Sequence, residues 1–511
     1  PREWVDRLDA AHDNLRVALD HAGDHDPEAA LRLAGALRPF WWVRGHWHEG
    51  RTRLEAALAR SGEATPALRA KALVGAADLA EWQGDSGPAV TLAEEARDLF
   101  RQLGDRAGEA ECCWKLGNVA MMRSRTAEAR ALLEEGVAIA RELPDRNHLA
   151  ELLNALGCLA LDEGDFAAAR RLWEETLAAD PSTSDAFVGG PGSHARYNLA
   201  MVLCFEGSYP AARALAEESL ERGRELGDAS LAAGARGLLG ELHLFEGDFA
   251  AARSNLEESL EAHRRLGEAT MVAGNELRLG RLALARGDLV EARGRLEEGL
   301  RHQRDLDGTW GTAAALRALG IVAREEGLLG EARAALEESL TLFQEMDSRD
   351  DVMTDLGELG ELAADEGDPL TARRLLEESL DRSRELGTKR ETACRLAALG
   401  RLALAEGDLK EAGRCLADAL RLAVELGARP VVAEAAEGLA ATAAADGDAY
   451  RAARYFGAAA GLRDAMGAAA LLPSLRTAHD AAWSVLQEAL SEDQTEQAMA
   501  EGRALSLDEL A

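Results

Sequence analysis

Lysine occurs only four times in 511 residues, at Lys71, Lys115, Lys389 and Lys410, and 58 basic residues face 91 acidic ones for a net charge of −33. The acidity excludes nucleic acid and acidic membrane surfaces as natural partners and leaves a basic or mixed peptide or protein open. The bias toward arginine is typical of a GC-rich bacterial genome. Cysteine is scarce: the six thiols, at positions 112, 113, 158, 204, 394 and 415, show no CxxC pair or regular framework, as expected of reduced cytoplasmic thiols. No apolar run approaches the length that spans a bilayer, and no signal peptide opens the chain. GxxxxGK[ST], HExxH and GxSxG are all missing, so no residue is placed in a catalytic or cofactor-binding role and no enzyme activity is expected. Aromatics make up 4% against 47% apolar residues, a composition of Ala/Leu-rich helices rather than of a single large core.

What the chain has instead is a phrase repeated eleven times. FEGDFAAARSNLEESL at 245–260 returns as ARGDLVEARGRLEEGL at 285–300. Indexed on its glycine, the phrase falls at Gly45, Gly84, Gly164, Gly207, Gly247, Gly287, Gly327, Gly367, Gly407 and Gly447, with Ser124 in one unit. The steps are 39, 40, 40 and 43, then 40 six times in succession, a period that signals a solenoid.

Each unit reads as two helices. Leu238, Leu239, Leu242 and Phe245 recur at helical spacing before the glycine, and Phe249, Ala252, Leu256 and Leu260 do so after it. The glycine suits the left-handed position that ends one helix, and the Asp that follows it in seven units can accept backbone N–H bonds at the start of the next. So short a connection makes the pair an αα-hairpin. Small residues stand seven before the index (Gly117, Gly157, Gly240, Gly280, Gly320, Gly360, Gly400), five after (Ala252 and its equivalents) and twelve after (Ser219, Ser259, Ser339, Ser379 among them). These columns let helix axes approach, with the Leu199, Leu239, Leu279 column expected to fill the seam. Arg253 and its counterparts precede a Glu by four, which predicts modest pairs within a helix.

The pattern resembles tetratricopeptide repeats, with 40 residues per unit where about 34 is usual. That resemblance implies an all-α, right-handed superhelical solenoid of αα-hairpins. Residues 1–26 are expected to form a linker helix, 27–467 the solenoid with a loop insertion at 180–193, and 468–511 a helical cap. The ends are more specific. LDAAHDNLRVALDHA (8–22), FWWVRGHWHEGRTRLEAALA (40–59), RAARYFGAAAGLRDAMG (451–467) and GRALSLDELA (502–511) resemble the repeat region of large bacterial signal-transduction ATPases, the LuxR-type and SARP-type regulators with MalT-like repeats. The resemblance implies a sensor arm that follows a nucleotide-binding module and biases it according to a bound protein, peptide or small-molecule effector. A free-standing peptide-binding scaffold is the other reading.

If the tetratricopeptide geometry holds, offsets ten, six, three and two before the index line the concave wall. They carry Trp114, Asn118, Met121 and Met122, then Asn154, then Tyr197, Met201 and Phe205, then Glu241 and Phe245, and further on Arg281, Arg317 and Arg324. Adaptable apolar surface with polar hooks suits a ligand groove; ordinary core packing is the competing reading. Trp41, Trp42 and Trp47 form the densest aromatic group and are a candidate docking face for an upstream module, or a cap on the first hairpin. His46 and His48, with His12, His21 and His25, invite a test for metal. An HxH pair on a helix points its rings apart, so no metal is expected from that pair.

Overall fold

The computed structural model describes residues 7–510 except 45, 61–64, 84, 124, 145, 147, 180–190, 307 and 469–470. Successive α-helices of mostly 14–18 residues alternate throughout, and no strand occurs among the described residues. The chain divides into two compact units, Pro1–Ala195 and Arg196–Ala511.

One hairpin shows how the sequence builds the rest. Helix Ala229–Glu246 ends at Gly247, whose φ of 79° is the left-handed value a side chain resists. The N–H of Asp248 donates back to the His243 carbonyl at 2.8 Å, and the Asp248 carboxylate accepts the N–H of Ala251 at 3.0 Å, opening helix Phe249–Leu266. Asp165, Asp288, Asp368, Asp408 and Asp448 cap their helices in the same way, whereas Asp85 makes no such bond.

A second left-handed column, twenty residues on, closes seven of the second helices: Gly104, Gly227, Gly267, Gly387, Gly427 and Gly467, with Asp347 at φ 54° in the same place, whereas Thr126–Glu142 ends at the extended Leu143. The Asp347 side chain is exposed, so it carries the backbone cost without burial in return. Asp347→Gly is expected to stabilise Arg196–Ala511 by about 0.5–1 kcal/mol, measured as a rise in the urea midpoint; no rise, or a fall, would mean the position is unstrained.

The small columns do set the packing, but their filler is a different residue from the one expected. A Cβ on Gly117, Gly157, Gly240, Gly280, Gly320, Gly360 or Gly400 would come within 2.5–2.8 Å of Leu133, Trp173, Leu256, Leu296, Leu336, Leu376 or Leu416, nine residues after the index of the same unit. The Leu199, Leu239, Leu279 column is buried beside that seam. Ser259, Ser339 and Ser379 are buried and bond the carbonyls of Ala233, Ala313 and Met353, whereas the buried Ser219 hydroxyl of the same column has no hydrogen-bond partner. The arginine column also does more than expected. Arg253 is 3.4 Å from Glu257 within its helix but 2.7 Å from Glu291 in the next unit, and Arg293 and Arg373 likewise reach Glu331 and Glu411. These side chains tie consecutive repeats together along the outer helices.

At the start, helix His12–His25 contributes Leu19 to the core that Leu31, Leu54 and Leu73 share, so the expected linker helix is packed. Of the expected loop, 180–190 lies outside the described residues, and helix Pro191–Phe205 begins within the remaining stretch, its proline at the first helical position where the missing N–H costs nothing. At the end, helix Glu492–Arg503 lies in backbone contact with Ala449–Met466, since a Cβ on Gly502 would fall 1.9 Å from the Arg454 carbonyl oxygen. Helix Pro473–Ala489 packs over Arg429–Ala445 and touches Thr309–Glu325. The expected end cap therefore folds back along the stack.

Candidate ligand groove

Within Pro1–Ala195, Trp114, Asn118 and Met121 lie half-buried on helix Arg106–Met122, and Asn154 on the neighbouring first helix Leu149–Asp162. Trp114 and Met121 pack against the core around Leu133 and Leu152, while Met122 is 65% exposed. Lys115 Nζ sits 4.7 Å from the Trp114 ring centre and pairs with Asp78, which also meets Arg38 at 3.0 Å. Asn154 Oδ1 is shut off from water without a hydrogen-bond partner, an acceptor left open on this wall.

Within Arg196–Ala511 the solenoid curls far enough for helix Ala229–Glu246 to meet Arg429–Ala445, five units on. Gly247 lies against Met466 and Arg429, and Gly207 against Leu426. The first helices therefore enclose a groove whose two walls come from units distant in sequence. On one wall, Glu241 receives Arg281 Nη1 at 2.9 Å and Arg278 Nε at 3.3 Å. Burial pushes the Glu241 carboxyl up, but those two guanidiniums outweigh it and hold the group below the usual carboxylate range. Phe245 stacks near Tyr209, ring centres 6.0 Å apart, with the Arg281 guanidinium 5.8 Å and the Arg390 guanidinium 4.5 Å from its own ring centre. Arg390 belongs to the far wall, with Glu391, Cys394, Arg395 and Arg401. Burial pushes the Cys394 thiol up to about 12, so it is no nucleophile.

Further along, Arg317 lies 2.7 Å from Asp351, also bonds Asp355, and covers the Phe343 ring at 4.6 Å. Burial raises the Asp355 carboxyl to about 6 against the pull of Arg317 and Ser339. Glu361 gathers Arg324 at 2.8 Å and Arg401 at 2.9 Å, with Arg395 at 3.6 Å. Arg395 is buried, with its Nε and Nη1 lacking hydrogen-bond partners. At one end of the groove, the Ser474 N–H and hydroxyl donate to Glu325 at 3.0 and 2.8 Å, so a buried carboxylate of one repeat caps the C-terminal helix Pro473–Ala489.

Burial pushes Glu361 up, yet Arg324, Arg401 and Arg395 together bring it down to about 2 from an ordinary 4.5. A carboxylate depressed by folding contributes stability that is full above the unfolded value and is lost as the pH falls toward the folded one. Acid unfolding between about pH 4.5 and 2 should therefore flatten in Glu361→Gln, followed by circular dichroism; an unchanged acid limb would mean that this carboxylate is not the coupled group.

The residues expected on the groove thus fall in both units. Glu241, Phe245 and Arg281 come together, and Arg317 and Arg324 hold separate ion-pair networks. Tyr197, Met201 and Phe205 lie on helix Pro191–Phe205, with the Tyr197 ring 3.6 Å from where a Gly234 Cβ would stand. The far wall, Arg390 to Arg401, was missed; the basic KRETACR run at 389–395 was its only signal. Arg401 in particular shares Glu361 with Arg324 and so belongs to the groove.

Of the two readings of the aromatic group, the cap describes Trp41. Trp41 is 1% exposed, and its ring occupies the space a Gly50 Cβ would need, 2.8 Å away, because a terminal hairpin must cover its own small-residue seam. Trp47 is half-buried against the same core, and the Trp42 side chain lies outside the described residues.

A tetratricopeptide-repeat family model matches residues 109–182, 193–265, 272–345 and 351–423, together more than half of the chain. No curated protein matches. Among solved structures, a Rap protein complexed with competence and sporulation factor superposes with a TM-score of 0.55 at 13% identity, over 71% of this chain and 99% of its own. The apo quorum sensor NprR from B. thuringiensis does so with a TM-score of 0.51 at 13% identity, over 70% and 99%. At these identities the likeness is one of fold.

Proposed function

The chain belongs to the tetratricopeptide-repeat family, and from that premise we propose that it is a non-catalytic interaction arm whose first helices in Arg196–Ala511 take up an extended peptide or protein segment. The observation that carries this reading is the Phe245 ring held between Arg281 and Arg390 beside Glu241. The ring is itself 8% exposed, so it holds two donors and an acceptor side by side rather than presenting its own face. Such a mixture binds a peptide backbone and side chains of mixed polarity rather than a wholly apolar molecule. The fold neighbour solved with competence and sporulation factor is in keeping with a role in sensing.

The residues at 8–22, 40–59 and 451–467 favour a setting in a bacterial signal-transduction ATPase, where occupancy of the groove would bias an upstream nucleotide-binding module. The packed Trp41 core then acts as a rigid base for that module. The free-standing scaffold reading rests on the same groove. The full reading frame separates them: a P-loop immediately upstream supports the arm, and a start codon close to Pro1 supports the scaffold. No described helix is long and apolar enough to cross a membrane. The groove itself is tested by selecting binders from a displayed random peptide library on the 511-residue chain and repeating the titration with Tyr197→Ala, which should weaken them; unchanged affinity would remove Tyr197 from the contact.

A further inference from the structure

We propose that Asp9, His12 and His46 form a binding site for a transition-metal dication of the zinc class. One donor atom of each lies within 4.8 Å of the others. The sequence pair His46 and His48 does not converge, and His48 is exposed. His46 meets instead the imidazole of His12, thirty-four residues earlier, with ring centres 4.6 Å apart and planes tilted by 36°.

Both imidazoles are placed by ordered structure. The His46 N–H donates to the Trp41 carbonyl and its own carbonyl accepts from Gly50, each at 2.9 Å, at the start of helix Trp47–Arg60. His12 opens helix His12–His25 and stands with its ring edge-on to the buried Phe40, centres 5.1 Å apart. Asp9 precedes it by three residues, on the short helical turn that leads through Ala11 into this helix. The His12 side chain is only 12% exposed. Its Nε2 is shut off from water and makes no hydrogen bond, although Glu49 Oε2 is 3.3 Å away. A buried ring nitrogen left in that state is costly without an acid or a cation to take it up.

Ion pairs order the carboxylates beside the site. Glu49 is held by Arg16 at 2.7 Å and Arg53 at 3.2 Å, Asp13 by Arg16 at 2.9 Å, and Asp20 by Arg53 at 2.8 Å. Two imidazoles and a carboxylate are the donors of zinc and its neighbours rather than of calcium or magnesium, and Glu49 stands behind them as a further oxygen. His21 and His25, stacked on each other at 4.3 Å and exposed, take no part.

Calorimetric titration of the chelator-treated 511-residue chain with Zn2+ is expected to show one site, and Co2+ in its place to give the visible absorption of a four-coordinate ion. His46→Ala should abolish the site. Asp9→Asn, an exposed change that the fold tolerates, should weaken it by about tenfold or more, while His21→Ala and His48→Ala leave it intact. No Zn2+ bound at micromolar metal would overturn the proposal. So would equal affinity in Asp9→Asn and the parent chain, which would leave an imidazolium–Glu49 pair as the role of His12.

Discussion

Trp173→Ala should cost Pro1–Ala195 about 3–5 kcal/mol, the largest loss expected of any single truncation in the chain. The ring is fully buried and sits where Gly157 has no Cβ, with Nε1 2.5 Å from that position. At the equivalent place seven other units have a leucine, two have alanine (Ala93 and Ala216) and one has Phe456. Helix Leu149–Asp162 is held against the preceding repeat by Thr126–Glu142, which limits how far the hairpin can close over the cavity. Trp173→Phe should cost much less: it keeps most of the ring and removes an indole N–H that has no hydrogen-bond partner. Hydrogen exchange in helices Leu149–Asp162 and Phe166–Ala179 under mild urea reads both values locally. A loss below about 1 kcal/mol for the alanine variant would contradict the plug-and-gap packing.

Phe245→Ala and Arg390→Ala should each weaken a library-selected peptide by about 2 kcal/mol, roughly thirtyfold. Arg390 reaches across the groove to the Phe245 ring, so removing either breaks the same stacked unit, and the double variant should lose less than the sum. Leu370→Ala is the control, since that side chain is 83% exposed at the start of the second helix Pro369–Leu386. Arg401 cannot serve as one because Glu361 couples it to Arg324. Circular dichroism separates lost binding from lost fold. Full affinity in both folded variants would take the groove away from Phe245.

Local grammar carried most of the fold. Gly247 and Asp248 announce a stop and a start through backbone rules that act over a few residues, and the Gly240 column announces close approach. The residue that fills the gap was less legible, because Leu239 and Leu256 are both apolar at helical spacing and only the hairpin's rotation decides which one points into it. The second left-handed column was hidden where Asp347 stands in for glycine. The near wall of the groove could be read from offsets, since Glu241, Phe245 and Arg281 lie on successive first helices. The far wall could not: Arg390 meets Phe245 only because small rotations accumulate until Ala229–Glu246 touches Arg429–Ala445. Curvature of that kind is summed over repeats, and no single repeat spells it. Trp41 left two readings open for a related reason. An aromatic cluster at an open end serves equally as plug or as contact, and the deciding fact is the missing Cβ of Gly50.

Hydrogen–deuterium exchange of the 511-residue chain with and without a selected peptide tests the groove most directly. New protection is expected in the first helices Ala229–Glu246, Ala269–Ala285 and Lys389–Glu406, with Phe249–Leu266 and Leu409–Leu426 unchanged. Protection confined to the second helices would place the ligand on the outer surface and contradict the account.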